Sequence, residues 1–384
     1  MFPTSYIEIS EAAVKNNIEF INKTLGKGVT FSSVVKGNAY GHGISNYCPL
    51  AYKYGVKHFS VFSAHEALKL ITSMPHQDYT TMIMGDIGNE ELEWAVENDV
   101  EFYVSERNRL ETAIEVGKKL GKQAKIHLEL ETGMNRTGFD LKEGNLMLGL
   151  IKSESKSLEI KGICTHLAGA ESIANYKRID DQRKRFKRIA NKIKNYDWLS
   201  PKWHMASSAA SIRYPDTKLD MARVGIMQYG FFPTQEILVY YLTKAKKLNS
   251  PLQRVISWKT RVMEVKTVKP GSFIGYGNSY FTNETTKIAL LPVGYANGYS
   301  RSLSNYGKVL IRGKRLEVIG TVNMSMLAIN VTEIGNVEKG DEAVLIGNQG
   351  EGEITVSSFS DFSNLLNYEL LTRLPQDIPR ILSK

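Results

Sequence analysis

The sequence lacks the features that mark several protein classes. Its two cysteines, Cys48 and Cys164, form neither a disulfide framework nor a metal-type spacing, which suggests a reducing compartment. No apolar run approaches the roughly 20 residues that cross a bilayer, so we expect no membrane partner. The opening residues, MFPTSYIEIS, lack the basic and apolar regions of an export signal. Together these absences predict a cytoplasmic protein.

No nucleic-acid-binding motif accompanies the net charge of +9 that the 384 residues carry. The densest basic run, residues 176–194, places Ile179, Phe186, Ile189 and Ile193 near one helical face and its charges elsewhere. This pattern favours the solvated outer helix of a folded domain over a polyanion site. We therefore expect no nucleic-acid partner, and the sequence predicts no metal site.

What the first 230 or so residues do contain is an alternation of short apolar runs with longer amphipathic ones. The candidate strands are residues 31–36, 57–62, 80–85, 100–105, 124–131, 160–166, 202–207 and 219–226. Strands that alternate with helices are typical of parallel sheets joined by crossovers. These units predict an α/β fold, a closed (β/α)8 TIM-type barrel, with an open doubly wound sheet as the alternative.

The pattern changes after about residue 245, where short β-rich segments are separated by glycine turns. This predicts a mostly β, C-terminal domain. We place the barrel domain at residues 1–240 and the β domain at residues 241–384, and leave open whether the first few residues pair with the β domain.

Polar side chains follow several of the predicted barrel strands. Lys36 ends the first strand in the stretch VVKGNAYGHG, His166 ends the sixth, and Arg223 lies inside the eighth. Catalytic groups of (β/α)8 barrels lie at the carboxyl ends of the strands, and a partly desolvated lysine there can act as a nucleophile. The alternative is a lysine that reaches into solvent. The convergence of these groups with Arg136 and Ser208 favours a site for an anionic ligand.

Motifs along nearly the whole chain resemble those of the alanine racemases, which are fold-type III pyridoxal-phosphate racemases. In chain order they are VVKGNAYGHG, IHLELETGMNRTGF, ICTHLAGAE, HMASSAASIRYP, ARVGIMQYG, GYGNSYF, LPVGYANGYSR, IGTVNMSM and NYELLTRLPQDIPR. The resemblance implies an N-terminal barrel, a C-terminal β domain, a pyridoxal 5'-phosphate cofactor and a head-to-tail homodimer. It also implies an amino-acid racemase, with alanine as the first expectation and D-alanine for peptidoglycan as its product.

The resemblance also implies roles for individual residues. Lys36 would bind the cofactor covalently and act as one base, while Tyr276 of the partner subunit would act as the second. His166 and Arg223 would supply positive charge to that tyrosine, and Arg223 would face the cofactor's ring nitrogen. The residues that match the family's phosphate set are Tyr40, Ser208, Gly225, Ile226 and Tyr368. Arg136 and the backbone of Met324 would bind the substrate carboxylate.

The sequence departs from the family pattern in two places. Glu129 stands where many members have a lysine, often carbamylated, and we expect it to hold Arg136 as a built-in anion; the alternative is a glutamate satisfied elsewhere in the barrel. The segment GTVNMS replaces a more highly charged segment around the substrate corridor. The corridor residues on this reading are Glu171, Tyr295, Arg301 and Thr321.

The corridor changes leave a second specificity open. A racemase that accepts serine, lysine, ornithine or arginine is the main alternative to one for alanine. A fold-type III decarboxylase is disfavoured by Arg223, because related decarboxylases carry an acidic group at that position. A non-catalytic pyridoxal-phosphate carrier is disfavoured by the β domain, which such carriers lack.

Overall fold

A computed structural model describes residues 3–193, 196–360 and 367–383. The chain divides into two compact units. The first comprises Ala13–Lys36 and Cys48–Gln253, and the second comprises Met1–Ala12, Gly37–Tyr47 and Arg254–Lys384. The boundary that the sequence predicts near residue 240 stays a prediction.

The first unit contains an eight-stranded parallel sheet, which confirms the predicted α/β fold class. Its strands are β2 (Thr30–Val34), β3 (His58–Val61), β4 (Thr80–Ile83), β5 (Glu101–Val104), β6 (Ala124–Glu129), β7 (Leu158–Cys164), β8 (Lys202–His204) and β9 (Met221–Val224). They are ordered β8-β7-β6-β5-β4-β3-β2-β9. Hydrogen bonds from the amides of Asp220 and Arg223 to the carbonyls of Trp203 and Ala206, each 3.0 Å long, bring the two ends together. The sheet is therefore a nearly closed barrel rather than an open one.

Helices alternate with these strands along the chain. The longer ones are α1 (Glu11–Leu25), α3 (Ile44–Lys53), α4 (Ala64–Ser73), α5 (Asn89–Glu97), α6 (Arg107–Leu120), α7 (Leu141–Ser153), α8 (Tyr176–Ile193) and α10 (Gln235–Ala245), with α9 (Ser208–Arg213) shorter. In α8 the side chains of Ile179, Phe186 and Ile193 are buried while its basic residues mostly face solvent. The basic run is therefore an outer helix, as predicted. None of the described helices is long and apolar enough to cross a bilayer.

A single left-handed turn, α2 (Lys36–Tyr40), follows the first barrel strand. Gly37, Asn38, Ala39 and Tyr40 have φ values of +63°, +54°, +55° and +50°. Each non-glycine residue in this conformation costs about 1–2 kcal/mol. The buried ring of His42 supports the turn, since its Nδ1–H lies 3.0 Å from the carbonyl oxygens of Ala39 and Tyr40. Strain of this kind is typical of functional segments.

The second unit is built mainly from a mixed β-sheet. Its strands are β1 (Ser5–Ser10), β10 (Ile256–Arg261), β11 (Glu264–Val268), β12 (Thr286–Leu291), β13 (Lys308–Ile311), β14 (Lys314–Ile319), β15 (Leu327–Asn330), β16 (Glu342–Gln349), β17 (Gly352–Ile354) and β18 (Arg380–Ser383). β1 pairs antiparallel with β10 and parallel with β18, so the start of the chain lies in this sheet. Two short helices, α11 (Ser357–Ser360) and α12 (Asn367–Arg373), complete the unit. The buried rings of Trp258, Tyr299 and Phe359 pack in its core.

Candidate active site

Lys36 lies just beyond the carboxyl end of β2. The strand ends at Val34, two residues before its predicted end, because the chain turns into left-handed α2. The side chain of Lys36 is exposed on one side, and protein atoms surround the rest of it. Desolvation, reinforced by the cations Arg136 and Arg223, lowers the pKa of its amine, while Glu66 opposes this shift. A lowered pKa raises the fraction of neutral, nucleophilic amine at neutral pH.

Arg223 is buried inside β9, as the sequence predicts. Its guanidinium donates from one terminal nitrogen to Nδ1 of His204 and, over 3.3 Å, to the His204 carbonyl. The other terminal nitrogen donates to the carbonyl of Thr165 over 2.9 Å. An arginine has five N–H donors, so within the described residues the guanidinium keeps N–H groups that are not yet used. Those groups suit an acceptor such as a ring nitrogen.

His166 follows β7, which ends at Cys164 rather than at the predicted residue 166. Burial, followed by the charges of Arg223, Arg136 and Lys36, lowers the pKa of His166 to about 3. The imidazole is therefore neutral at neutral pH. No hydrogen bond joins the His166 ring to Arg223 within the residues that the structure describes, so positive charge at this end of the barrel comes from the arginines.

In the barrel unit, a hydroxyl and two backbone amides are the groups predicted to bind the cofactor phosphate. The hydroxyl of Ser208, at the start of α9, accepts a hydrogen bond from the amide of Gly225 over 3.0 Å. This leaves its O–H available to donate. Gly225 ends β9 and is followed by a 3-10 turn that begins at Ile226, and all three residues are buried.

The two tyrosines that are predicted to bind the phosphate lie in the second unit. The rings of Tyr40 and Tyr368 meet edge to face with their centroids 6.2 Å apart. Burial raises the pKa of Tyr40 to about 12, so its hydroxyl remains a proton donor at neutral pH. Tyr40 is carried by α2 and Tyr368 by α12. The strained turn therefore sets the position of one of the two phenols.

Glu129 and Arg136 are not in direct contact. Glu129 ends β6 with an exposed fraction of 6%, and no hydrogen bond to its carboxylate is found among the described residues. Arg136 is exposed, and its loop is organised by Glu131, whose carboxylate accepts hydrogen bonds from the amides of Gly133, Asn135 and Arg136. A buried carboxylate without a partner is costly, so Glu129 is available for a ligand, a water or a shifted Arg136.

In the second unit, hydrogen bonds join most of the remaining predicted residues. Tyr276 is 75% exposed, and its carbonyl accepts from the hydroxyl of Thr321 over 3.1 Å. The amide of Tyr295 donates to the carbonyl of Asn323 over 3.0 Å, and that of Ala296 donates to the carbonyl of Met324 over 2.9 Å. Arg301 is linked to the same segment through Ser304, which bonds to both the Arg301 carbonyl and the Val322 amide.

One predicted corridor residue, Glu171, belongs to the barrel unit. It is exposed, and its carbonyl accepts a hydrogen bond from Thr234 over 3.2 Å. The barrel also contains a buried row of polar side chains that the sequence analysis did not single out: Ser60, Ser32, His58, Glu101, His127 and His204. The signal for it in the sequence was the presence of Glu101 and of three histidines, His58, His127 and His204, within otherwise apolar predicted strands.

The donors present fit pyridoxal phosphate. An amine of lowered pKa can bind its aldehyde, a guanidinium with spare N–H groups can face its ring nitrogen, and the Ser208 hydroxyl can donate to its phosphate. His58, Glu101 and His127 are the described residues whose ligand atoms are grouped closely enough for a metal ion.

Comparison with known proteins agrees with the geometry. Residues 9–233 match the alanine racemase N-terminal domain and residues 255–382 match the alanine racemase C-terminal domain. The chain is 34% identical over 379 residues to the alanine racemase of Leptospira interrogans serogroup Icterohaemorrhagiae serovar copenhageni, covering 98% of this chain and 95% of that protein.

Solved structures give the same result. The alanine racemase of Bacillus anthracis with bound L-Ala-P matches with a TM-score of 0.89 and 28% identity, covering 100% of this chain and 96% of that one. The alanine racemase of Bartonella henselae with covalently bound pyridoxal phosphate matches with a TM-score of 0.84 and 26% identity, covering 99% of each chain.

Proposed function

Since the chain belongs to the alanine racemase family, we propose that it is a pyridoxal-phosphate-dependent isomerase that interconverts L- and D-alanine. In a cell the reaction would supply D-alanine for peptidoglycan. The proposal rests on three groups at one end of the barrel: the amine of Lys36, whose pKa is lowered, the buried guanidinium of Arg223 and the hydroxyl of Ser208.

Lys36 would hold the cofactor in the resting enzyme through its amine. When bound, pyridoxal phosphate draws electrons from the substrate α-carbon and makes its hydrogen acidic. The Lys36 amine then removes or returns the proton on one face of that carbon. Arg223 would donate to the ring nitrogen and, because a guanidinium does not give up its proton, would leave that nitrogen unprotonated. The weaker electron withdrawal favours racemisation over decarboxylation.

Racemisation needs a second base on the opposite face, and we assign this role to Tyr276 of a partner subunit. A tyrosine has a pKa near 10, so it needs positive charge nearby to act as a base. Because the lowered pKa of His166 keeps its ring neutral, Arg223 and Arg136 provide the positive charge. Tyr276 is exposed at 75%, as a residue that serves another subunit would be in a single chain.

A homodimer would cover the apolar surface around Tyr276. Phe273, Phe281 and Met324 are 50%, 48% and 59% exposed, and the rings of Phe273 and Phe281 pack 5.1 Å apart. Exposed apolar groups in such number are typical of interaction surfaces. Sedimentation of the holoenzyme should therefore give a dimer, and Phe273→Asp should shift it towards monomer with loss of activity.

The substrate carboxylate binds to Arg136 and to the backbone amide of Met324, and substrates reach it past Glu171, Tyr295, Arg301 and Thr321. One observation favours a second specificity. The side-chain oxygen of Asn323 is buried and has no hydrogen-bond partner among the described residues. An amino acid with a polar side chain, such as serine, lysine, ornithine or arginine, could supply one.

Glu129 is proposed to act as the anion that holds Arg136 in the loaded enzyme. Its partnerless, buried carboxylate supports this, since a charge there gains from a cation. Glu129→Gln should raise KM for alanine about tenfold or more, while Glu159→Gln, at a partly exposed ion pair with Lys161, serves as the control. Unchanged KM in Glu129→Gln would rule the role out.

The experiment that tests the proposed function is a racemisation assay of the holoenzyme with L-alanine, L-serine, L-lysine, L-ornithine and L-arginine, with carbon dioxide measured in parallel. We expect alanine to react fastest and no carbon dioxide to form. Faster turnover of another amino acid would replace the alanine assignment, and carbon dioxide would indicate a decarboxylase. The proposal includes a cytoplasmic location, which the two buried, unpaired cysteines support.

A further inference from the structure

A continuous row of hydrogen bonds crosses the inside of the barrel from Glu101 to Arg223. Glu101 is the first residue of β5, at the amino end of that strand. Its Oε2 lies 2.7 Å from Nε2 of His127, and Nδ1 of His127 lies 2.9 Å from Nε2 of His204. Nδ1 of His204 is bound to the guanidinium of Arg223. All four side chains are buried.

The chemistry of the two ends fixes the direction of every hydrogen bond in the row. A guanidinium can only donate, so Nδ1 of His204 carries no proton and its Nε2 does. That Nε2–H must donate to Nδ1 of His127, whose own proton is then on Nε2. The His127 Nε2–H finally donates to the Glu101 carboxylate, which can only accept.

The pKa shifts agree with this assignment. Burial, followed by the charge of Arg223, lowers the pKa of His204 well below its usual value, and burial also lowers the pKa of His127. Burial alone would raise the pKa of Glu101, but hydrogen bonds from His127 and His58 hold it well below its ordinary range. Two neutral imidazoles therefore link a buried cation to a buried anion.

We propose that Glu101 is a positioning residue that, through neutral His127 and His204, keeps Arg223 oriented as a hydrogen-bond donor towards the cofactor's ring nitrogen. Its carboxylate also balances the buried charge of Arg223, to which no carboxylate is hydrogen-bonded directly among the described residues. The role towards the cofactor rests on the proposed function, whereas the proton arrangement does not.

The same residues raise a competing interpretation. His58 also approaches Oε2 of Glu101, at 3.4 Å, and the three side chains are close enough to bind a metal ion. A metal would need the bare Nε2 atoms of His58 and His127, whereas the row needs a proton on Nε2 of His127. The two arrangements exclude each other, so metal analysis of the purified protein distinguishes them.

The first experiment uses the protein without its cofactor. Nitrogen-15 NMR of labelled histidines should show His127 and His204 with the proton on Nε2 and a bare Nδ1. Glu101→Ala should move the His127 signals away from that pattern, and Asp99→Asn should leave it intact, since Asp99 pairs at the surface with Lys125 and Lys122. Stoichiometric bound metal, or an Nδ1-protonated His127 in the wild type, would overturn the proposal.

The second experiment uses the holoenzyme. Glu101→Gln keeps the shape and an acceptor oxygen but removes the charge, and it should lower kcat about tenfold with KM changed less than about twofold. Glu101→Ala should lose more and respond to added acetate or formate, because Glu101 lines a cavity of about 340 Å³ that also includes Thr80, Thr81 and Lys125.

A small carboxylate entering that cavity can accept the proton of His127, so activity in Glu101→Ala should recover with a saturable dependence on its concentration. A purely structural loss would not respond. Wild-type kinetics in Glu101→Gln and Glu101→Ala, or a loss in Glu101→Ala that no carboxylate restores, would overturn the proposal. An inactive wild-type enzyme with the expected NMR pattern would instead count against the proposed function.

Discussion

Replacing Gly41 by alanine should destabilise the second unit and weaken cofactor binding. Gly41 follows the left-handed turn α2 with φ of +81°, a region where alanine costs about 1–2 kcal/mol. A Cβ there would lie 1.9 Å from the carbonyl oxygen of Leu371 and 2.7 Å from its carbonyl carbon. A backbone carbonyl in α12 cannot rotate away as a side chain would, so the helix must move.

The size of the effect follows from these two contributions. Overpacking of this kind typically costs about 1–3 kcal/mol, which together with the backbone strain gives about 2–5 kcal/mol for Gly41→Ala. Gly55→Ala is the matched control: Gly55 has φ of +94°, but an added Cβ meets nothing within 4 Å. It should lose only about 1–2 kcal/mol.

The assay is urea denaturation of the cofactor-free protein, followed by titration with pyridoxal phosphate. Because α2 carries Tyr40 and α12 carries Tyr368, Gly41→Ala should also bind the cofactor more weakly, while Gly55→Ala should bind it normally. Equal losses of stability in the two variants, with equal cofactor affinity, would refute the argument that the close approach of α2 to α12 positions the phosphate donors.

Three further predictions follow from the site. The pH profile of cofactor capture by Lys36 should show an apparent pKa below the usual lysine value. Arg136→Gln should raise that apparent pKa, because the Arg136 cation contributes to the shift. The same profile in Arg136→Gln as in the wild type would contradict this. Tyr276→Phe should stop exchange of the α-proton from one enantiomer of alanine but not the other, as deuterium exchange would reveal. The free energy of unfolding should fall as the pH drops below about 6.5. The reason is that His42, His166 and His204 have lowered pKa values, so they stay neutral in the folded protein but take up protons when it unfolds. A free energy of unfolding that does not change between pH 7 and 5 would contradict this.

The barrel was predictable from the sequence because each strand is a short apolar run closed off by a helix or a turn. All eight predicted segments overlap an observed strand, and the errors are at their ends, as for Lys36, where the chain leaves the sheet after Val34. The left-handed conformation of Asn38, Ala39 and Tyr40 could not be predicted, since it opposes their local preferences and depends on tertiary contacts such as that of Gly41 with Leu371.

The buried row of side chains was also beyond the sequence. Glu101, His127 and His204 are 26 and 77 residues apart along the chain, and only the closed barrel turns them towards one another. The sequence also could not show that the carboxylate of Glu129 is buried while Arg136 is exposed, with no hydrogen bond joining the two side chains among the described residues. The role of Glu129 in holding Arg136 stays a prediction. The spacing of seven residues placed Arg136 in the loop that follows the strand of Glu129, but it did not determine the directions of the two side chains.

The central claim is that the amine of Lys36 binds pyridoxal phosphate covalently. Borohydride reduction of the holoenzyme, followed by trypsin digestion and mass spectrometry, tests it directly. Trypsin does not cleave after a modified lysine, so we predict the cofactor on a single peptide that spans residues 28–53, with Lys36 uncut. A cofactor attached to any other lysine, or a protein that carries none after reduction, would contradict the account.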